Sequence, residues 1–208
     1  MPVPRAYGFW GWVFRVVGRV LSRTTSEPLP DLGGRPTVFV ANHTSLADVF
    51  YAVAVLSKWG YPARCLVREA YFRGRIMGGW LSSIGFIAAG GGNSDATTEA
   101  VAALTAGTPV AVMPEGRIVP PERRHADGMG EFRGGFIDIA RKANAQVLPI
   151  ALVRSEEVWG SRARLPRLPF RRPRVNVGVG TPVEVGGRDD AEVEAEVRSQ
   201  IAALLVRL

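Results

Sequence analysis

The chain has 208 residues, a length that suits one domain with a substantial core. Hydrophobic residues at 47% against 22% charged exclude an intrinsically disordered chain, and a single cysteine, Cys65, excludes an intrachain disulfide. The formal charge is +7, and lysine occurs only at Lys58 and Lys142, so arginine carries the excess, a residue suited to bidentate binding of phosphate or carboxylate.

In chain order, Tyr7 to Leu21 is predicted as a helix. Gly8, Gly11, Arg15, Gly18 and Arg19 recur at helical spacing, leaving Phe9, Trp10, Val13, Phe14, Val17, Val20 and Leu21 on the remaining surface. Aromatic rings and guanidinium groups on a short helix suit the headgroup boundary of a bilayer, so this helix is expected to lie in a membrane interface. The alternative is a helix that only packs on the domain. No stretch reaches the ~18 uninterrupted apolar residues of a spanning helix, and the first apolar run carries Arg15 and Arg19 with no small-residue cleavage site after it, unlike a signal peptide. A Pro/Ser/Gly-rich stretch from Ser22 to Pro36 reads as a linker, which divides the chain into an N-terminal helix with linker, 1–36, and a main domain, 37–208.

Thr37 to Ala41 is the first expected strand, followed by a helix over Ser45 to Ser57. A strand at Arg64 to Val67, a short helix at Gly74 to Leu81, a strand at Ile84 to Ala88 and a helix at Ser94 to Thr105 follow. Pro109 to Met113 reads as strand, Phe132 to Asn144 as helix and Gln146 to Val153 as strand. Ser161 to Arg174 is a basic loop interrupted by prolines, Val175 to Val185 alternates like a strand, and Asp189 to Leu208 closes the chain as an amphipathic helix with acidic residues first and Arg207 last. The alternation predicts an α/β fold: a single domain with a mainly parallel central sheet flanked by helices, plus the amphipathic N-terminal helix.

Two segments could carry chemistry. Asn42, His43 and Asp48 follow the strand Thr37 to Ala41, on the edge where α/β folds place their sites. If Asp48 lies in the first helical turn, its carboxylate can fold back to one ring nitrogen of His43 and leave the other free to take a proton from a hydroxyl. A helix-capping aspartate beside an incidental histidine is the other reading of those two residues. Glu115, Gly116 and Arg117 follow the strand Pro109 to Met113 and form either a compact polar site or an ordinary turn. With one cysteine and two histidines, no metal site is expected.

The run from Asn42-His43 to Asp48 resembles the NHxxxxD signature of the PlsC-like glycerolipid acyltransferases, the lysophosphatidic acid acyltransferase superfamily. Pro114-Glu115-Gly116 is similar to the core of that family's FPEGTRS block, Phe132-Arg133-Gly134-Gly135 to its F-[KR]-x-G stretch, and Val147 to Ala151 to its fourth block. The resemblance implies an O-acyltransferase in which His43 is the general base and Asp48 orients it. Asn42, Glu115, Gly116 and Arg117 would contribute to substrate binding. It further implies no cofactor, an acyl-CoA or acyl carrier protein co-substrate, and a lysophospholipid acceptor of the 1-acylglycerol-3-phosphate type. The place of action would be the cytoplasmic face of the cell membrane, as a peripheral protein.

Two departures bear on the acceptor. The arginine that closes the family's second block falls on Gly91, and Arg117 stands where the third block has threonine, so the acceptor could instead be a glycolipid, a lyso-aminolipid or a secondary-metabolite hydroxyl. Arg68, Arg73, Arg75 or Arg117 could compensate for the missing cations. A thioesterase-like hydrolase and a non-catalytic lipid-binding relative are the remaining alternatives. The oxyanion of an acyl transfer needs donors, and backbone N–H groups of Ser45 to Ala47 are the expected ones. The prolines of the Arg162 to Arg174 loop and the lack of a recognition element argue against nucleic acid, so that loop is read either as a docking surface for acyl-CoA phosphates, an acidic carrier protein or anionic lipid, or as merely solvated charge.

Overall fold

The computed structural model describes residues 4–90, 95–161, 163, 165–166 and 172–208. The elements are α1 (Arg5–Leu21), β1 (Arg23–Ser26), β2 (Thr37–Ala41), α2 (Asp48–Trp59), β3 (Arg64–Arg68), α3 (Arg75–Ser83), β4 (Ile87–Ala89), α4 (Asp95–Thr105), β5 (Val110–Val112), α5 (Gly135–Lys142), β6 (Gln146–Val153), β7 (Arg174–Val179) and α6 (Asp190–Arg207). Among the described residues the strands form one seven-stranded sheet in the order β1-β7-β6-β2-β5-β3-β4. Every neighbouring pair is parallel except β6 with β7. The expected α/β fold with a mainly parallel sheet is therefore the observed one.

Helices cover both faces of this sheet. Val38 and Val40 of β2 point to one side, with α4, α5 and α6, while Phe39 points to the other, with α2. β6 divides the same way: Val147, Ala151 and Val153 face the first layer, and Leu148, Ile150 and Leu152 the second. All eight residues of β6 are buried, as a strand with helices on both faces requires. Pro149 is tolerated there because it faces β7 where β7 has ended at Val179; its carbonyl accepts from Gly180 N at 2.9 Å and no ladder N–H is demanded of it. α6 starts at an N-cap, Asp189, whose side chain accepts from Ala191 N at 2.8 Å.

The structure revises the N-terminal reading. Residues 23–26, read as linker, form β1 and pair in parallel with β7 at the sheet edge. Gly8 is exposed, but Gly11 and Gly18 of α1 do not belong to an outward polar face. Gly11 lies so close to α2 that a Cβ there would overlap Ser57, and Gly18 lies against Tyr51, so they are the seam that lets the two helices approach. Trp10 and Phe14 join Phe50 and Trp80 in an aromatic cluster between α1, α2 and α3. Phe9, Trp12, Val16 and Val20 face outward, between 41% and 64% exposed. No helix of the described residues is long and apolar enough to cross a membrane.

Candidate active site

Three adjacent parallel strands, β5, β2 and β6, end side by side, and each hands its chain to a polar residue there: Glu115 after β5, His43 after β2 and Ser155 after β6. This is the carboxyl edge of the sheet, where the order of strands reverses about β2.

The chain leaves β2 at Ala41, turns through residues 42–47 and enters α2 at Asp48. The carboxylate of Asp48 folds back over that turn. Its Oδ2 accepts from Thr44 N at 2.7 Å and Ser45 N at 2.8 Å, and lies 3.0 Å from His43 Nδ1. Its Oδ1 accepts from the hydroxyl of Ser155. Asp48 is fully buried, whereas the ring of His43 keeps 15% of its surface exposed at the mouth of the turn. With the carboxylate acting as acceptor throughout, Nδ1 carries its hydrogen and Nε2 is left with a free lone pair. The main chain of His43 is fixed as well, its N–H donating to Glu115 Oε1 at 3.1 Å and its carbonyl accepting from Val119 N at 3.1 Å.

Glu115 is 3% exposed, and its Oε2 has no hydrogen-bond partner among the described residues. Burial pushes its carboxyl up to about 7, against the lowering effect of its hydrogen bonds and of His43 nearby. Gly116 follows in the left-handed region, φ 62°, with its N–H closing the turn onto Met113 O at 3.0 Å. Its carbonyl accepts from Arg68 Nη2 at 3.1 Å, and the guanidinium of Arg133 lies within van der Waals reach of a Cβ built there. Arg117 is exposed and makes no hydrogen bond or ion pair with the described residues. Arg68, Arg117 and Arg133 thus gather positive charge around the Glu115 turn. Of the other arginines weighed from the sequence, Arg73 pairs with Glu69 at 3.4 Å on the surface and Arg75 is exposed at the start of α3.

Two expectations are corrected. Asn42, expected among the substrate-binding residues, is fully buried with both ends of its amide engaged: Nδ2 donates to Leu152 O at 3.0 Å, and Oδ1 accepts from Leu152 N at 2.8 Å. The side chain extends the β2–β6 ladder by one step after the backbone has left it, and offers no polar atom to a ligand. The N–H groups expected for an oxyanion are largely engaged too, Ser45 N by Asp48 and Ala47 N by Ser45 Oγ at 2.9 Å. Gly91 and most of the Arg162 to Arg174 loop, including Arg162, Arg164, Arg167 and Arg171, lie outside the described residues.

Sequence reasoning missed Ser155 and Trp159. The carbonyl of Trp159 accepts from Ser45 Oγ at 2.6 Å, and its ring stacks on Phe50 at 5.9 Å. The available signal was a serine just beyond an unbroken apolar strand that ends beside β2. Behind Phe50 and Trp159, a cavity of about 180 Å³ lined by Phe14, Gly18, Leu21 and Ala47 runs between α1 and α2. Among the described residues no group of three or more His, Cys, Asp or Glu is placed to hold a metal ion.

A family model described as Acyltransferase matches residues 9–153. No curated protein sequence matches the chain. Among solved structures, the crystal structure of the 1-acyl-sn-glycerophosphate (LPA) acyltransferase, PlsC, from Thermotoga maritima superposes with a TM-score of 0.71 at 20% identity, over 98% of this chain and 80% of that one. That likeness establishes a shared fold.

Proposed function

The chain belongs to the acyltransferase family, and on that premise we propose that it moves a fatty acyl group from the thioester of acyl-CoA or acyl carrier protein to the hydroxyl of a lysophospholipid, with His43 as general base. The observation that carries this reading is the His43–Asp48 pair at the carboxyl edge of the sheet, Nδ1 held at 3.0 Å and Nε2 without a hydrogen bond among the described residues. A bare alcohol is a poor nucleophile at neutral pH, and a base within hydrogen-bond reach contributes on the order of 10²–10⁴-fold.

The steps balance on this chain's own residues. His43 Nε2 takes the proton of the acceptor hydroxyl as its oxygen attacks the thioester carbonyl. The tetrahedral intermediate collapses, the C–S bond breaks, and the leaving thiolate recovers the proton from His43. Asp48 stays a carboxylate and stabilises the imidazolium formed between the two steps.

Binding has support in the arginines around the Glu115 turn, in an apolar cavity and on the outer face of α1. Glu115 holds the main chain of His43 in place through Oε1, and Arg68, Arg117 and Arg133 suit an anionic headgroup of the 1-acylglycerol-3-phosphate type. The apolar cavity between α1 and α2 suits an alkyl chain. Phe9, Trp12, Val16 and Val20 on the outer face of α1 suit the interface of a bilayer, which supports a peripheral membrane protein; the cytoplasmic face is the side proposed for it. No cofactor enters this chemistry.

The test is transfer of a labelled acyl group from acyl-CoA to lysophosphatidate and to a panel of other lipid alcohols, with His43→Ala as control. Labelled phosphatidate from the wild type and none from the variant is the expected result. Turnover on another acceptor alone would overturn the headgroup assignment, and normal turnover by His43→Ala would overturn the mechanism.

A further inference from the structure

We propose that Ser155 is a positioning residue of this site, whose hydroxyl holds the Asp48 carboxylate in the one orientation from which Oδ2 meets His43. The inference rests on reading His43 and Asp48 as the base and its partner. It concerns a residue outside the matched blocks, beyond the end of the family match at residue 153.

Ser155 is fully buried and grips the 43–48 turn at two points. Its Oγ donates to Asp48 Oδ1 and lies 3.3 Å from Thr44 Oγ1, while Ser45 Oγ, 3.3 Å from the Ser155 carbonyl, gives its one hydrogen to the nearer carbonyl of Trp159 at 2.6 Å. The direction of each hydrogen bond is fixed by elimination. A carboxylate oxygen only accepts, so the single hydroxyl hydrogen of Ser155 goes to Asp48. Thr44 must then be the donor in its contact with Ser155. A chain of hydroxyls therefore runs from Thr44 through Ser155 into the carboxylate, with no free rotor at its end.

The division of labour on the carboxylate explains why this matters. Oδ2 serves His43 and the N–H groups of Thr44 and Ser45, and among the described residues only Ser155 holds Oδ1. Without that bond, Oδ1 is left buried with no donor and the carboxylate is held through one oxygen alone, so it can tilt about Oδ2 and shift the acceptor that faces Nδ1. A base displaced by a fraction of an ångström loses rate without losing substrate affinity.

The backbone is built to deliver this hydroxyl. Arg154, between β6 and Ser155, is a non-glycine residue in the left-handed region, φ 63° and ψ 17°. Its side chain is more than half exposed and meets Glu157 only at 3.9 Å, so the strained conformation is not set by that contact. What it achieves is an abrupt reversal that returns Ser155 under the catalytic turn at the end of the most deeply buried strand.

The experiment is a double-mutant cycle between Ser155→Ala and Asp48→Asn, followed by kcat and KM, with the low-field proton resonance of the His43 Nδ1–H as a second readout. The expected result for Ser155→Ala is a fall in kcat of about 10- to 100-fold with unchanged KM for the acyl donor, and a shifted or broadened resonance. In the Asp48→Asn background the same substitution adds nothing further. Should Ser155→Ala fold poorly, Ser155→Cys fills the site with a weaker donor and is expected to show a smaller kcat loss with the same coupling. Wild-type kcat in the folded variants, or an equal loss in the Asp48→Asn background, overturns the role of Ser155. Wild-type activity in Asp48→Asn alone overturns instead the reading of the His43–Asp48 pair.

Discussion

His43 Nδ1 and Asp48 Oδ2 meet at 3.0 Å although five residues separate them, because the turn between β2 and α2 folds the first residue of the helix back toward the strand it follows. That pairing makes the first prediction. His43→Ala abolishes acyl transfer to background while leaving the far-UV spectrum and the unfolding midpoint close to wild type. Asp48→Asn lowers kcat by roughly 10²–10⁴-fold and also lowers stability, since a carboxylate with four donors is replaced by an amide that can accept from fewer.

Asn42→Ala separates a structural from a binding role. It leaves Leu152 N and O without their partners in a fully buried position, which costs about 2–4 kcal/mol in urea unfolding. The KM values for donor and acceptor stay at wild type in the folded fraction. A raised KM at unchanged stability would return Asn42 to the substrate.

Glu115 gives stability a pH dependence of unusual sign for a carboxyl group. The unfolded chain ionises it near the ordinary 4.5, the folded chain only near 7. Between those values folding takes up a proton, so stability falls as pH rises and levels off above about 7. Glu115→Gln keeps an acceptor for His43 N–H and removes the buried charge. Its stability relative to wild type is therefore flat below pH 4.5, improves across that window and exceeds wild type by at most ~3 kcal/mol at pH 8. Thermal midpoints of the two proteins measured from pH 4 to 8 check this.

The two faces of α1 respond differently. Trp12 is exposed, so Trp12→Glu leaves stability within about 0.5 kcal/mol but weakens binding to anionic vesicles roughly tenfold or more. Gly11→Val drives a side chain into Ser57 of α2 and destabilises by about 1–3 kcal/mol. Sedimentation with vesicles and denaturant unfolding, run on both variants, distinguish the outward face from the seam.

Local pattern in the sequence determined most of the fold. The apolar runs at Thr37–Ala41 and Gln146–Val153 are strands because β-branched residues buried on both faces have few other solutions, and the acidic start of α6 marks its own cap. The spacing of His43 and Asp48 and the order of the sequence blocks pointed to the site, because a strand end followed at once by a helix start constrains where both side chains lie. Other features depend on neighbours remote in the chain and left no local mark. β1 is a strand only because β7 offers it an edge, 151 residues away in sequence at the pair Arg23 with Arg174. Gly11 and Gly18 of α1 are a packing seam only because α2 lies against them. Asn42 is a ladder cap and Ser155 an anchor for Asp48 because β6 runs beside β2. A side chain's chemistry is written in its residue type, but the partner that decides how that chemistry is used comes from strand order, and strand order is set by burying the whole sheet at once.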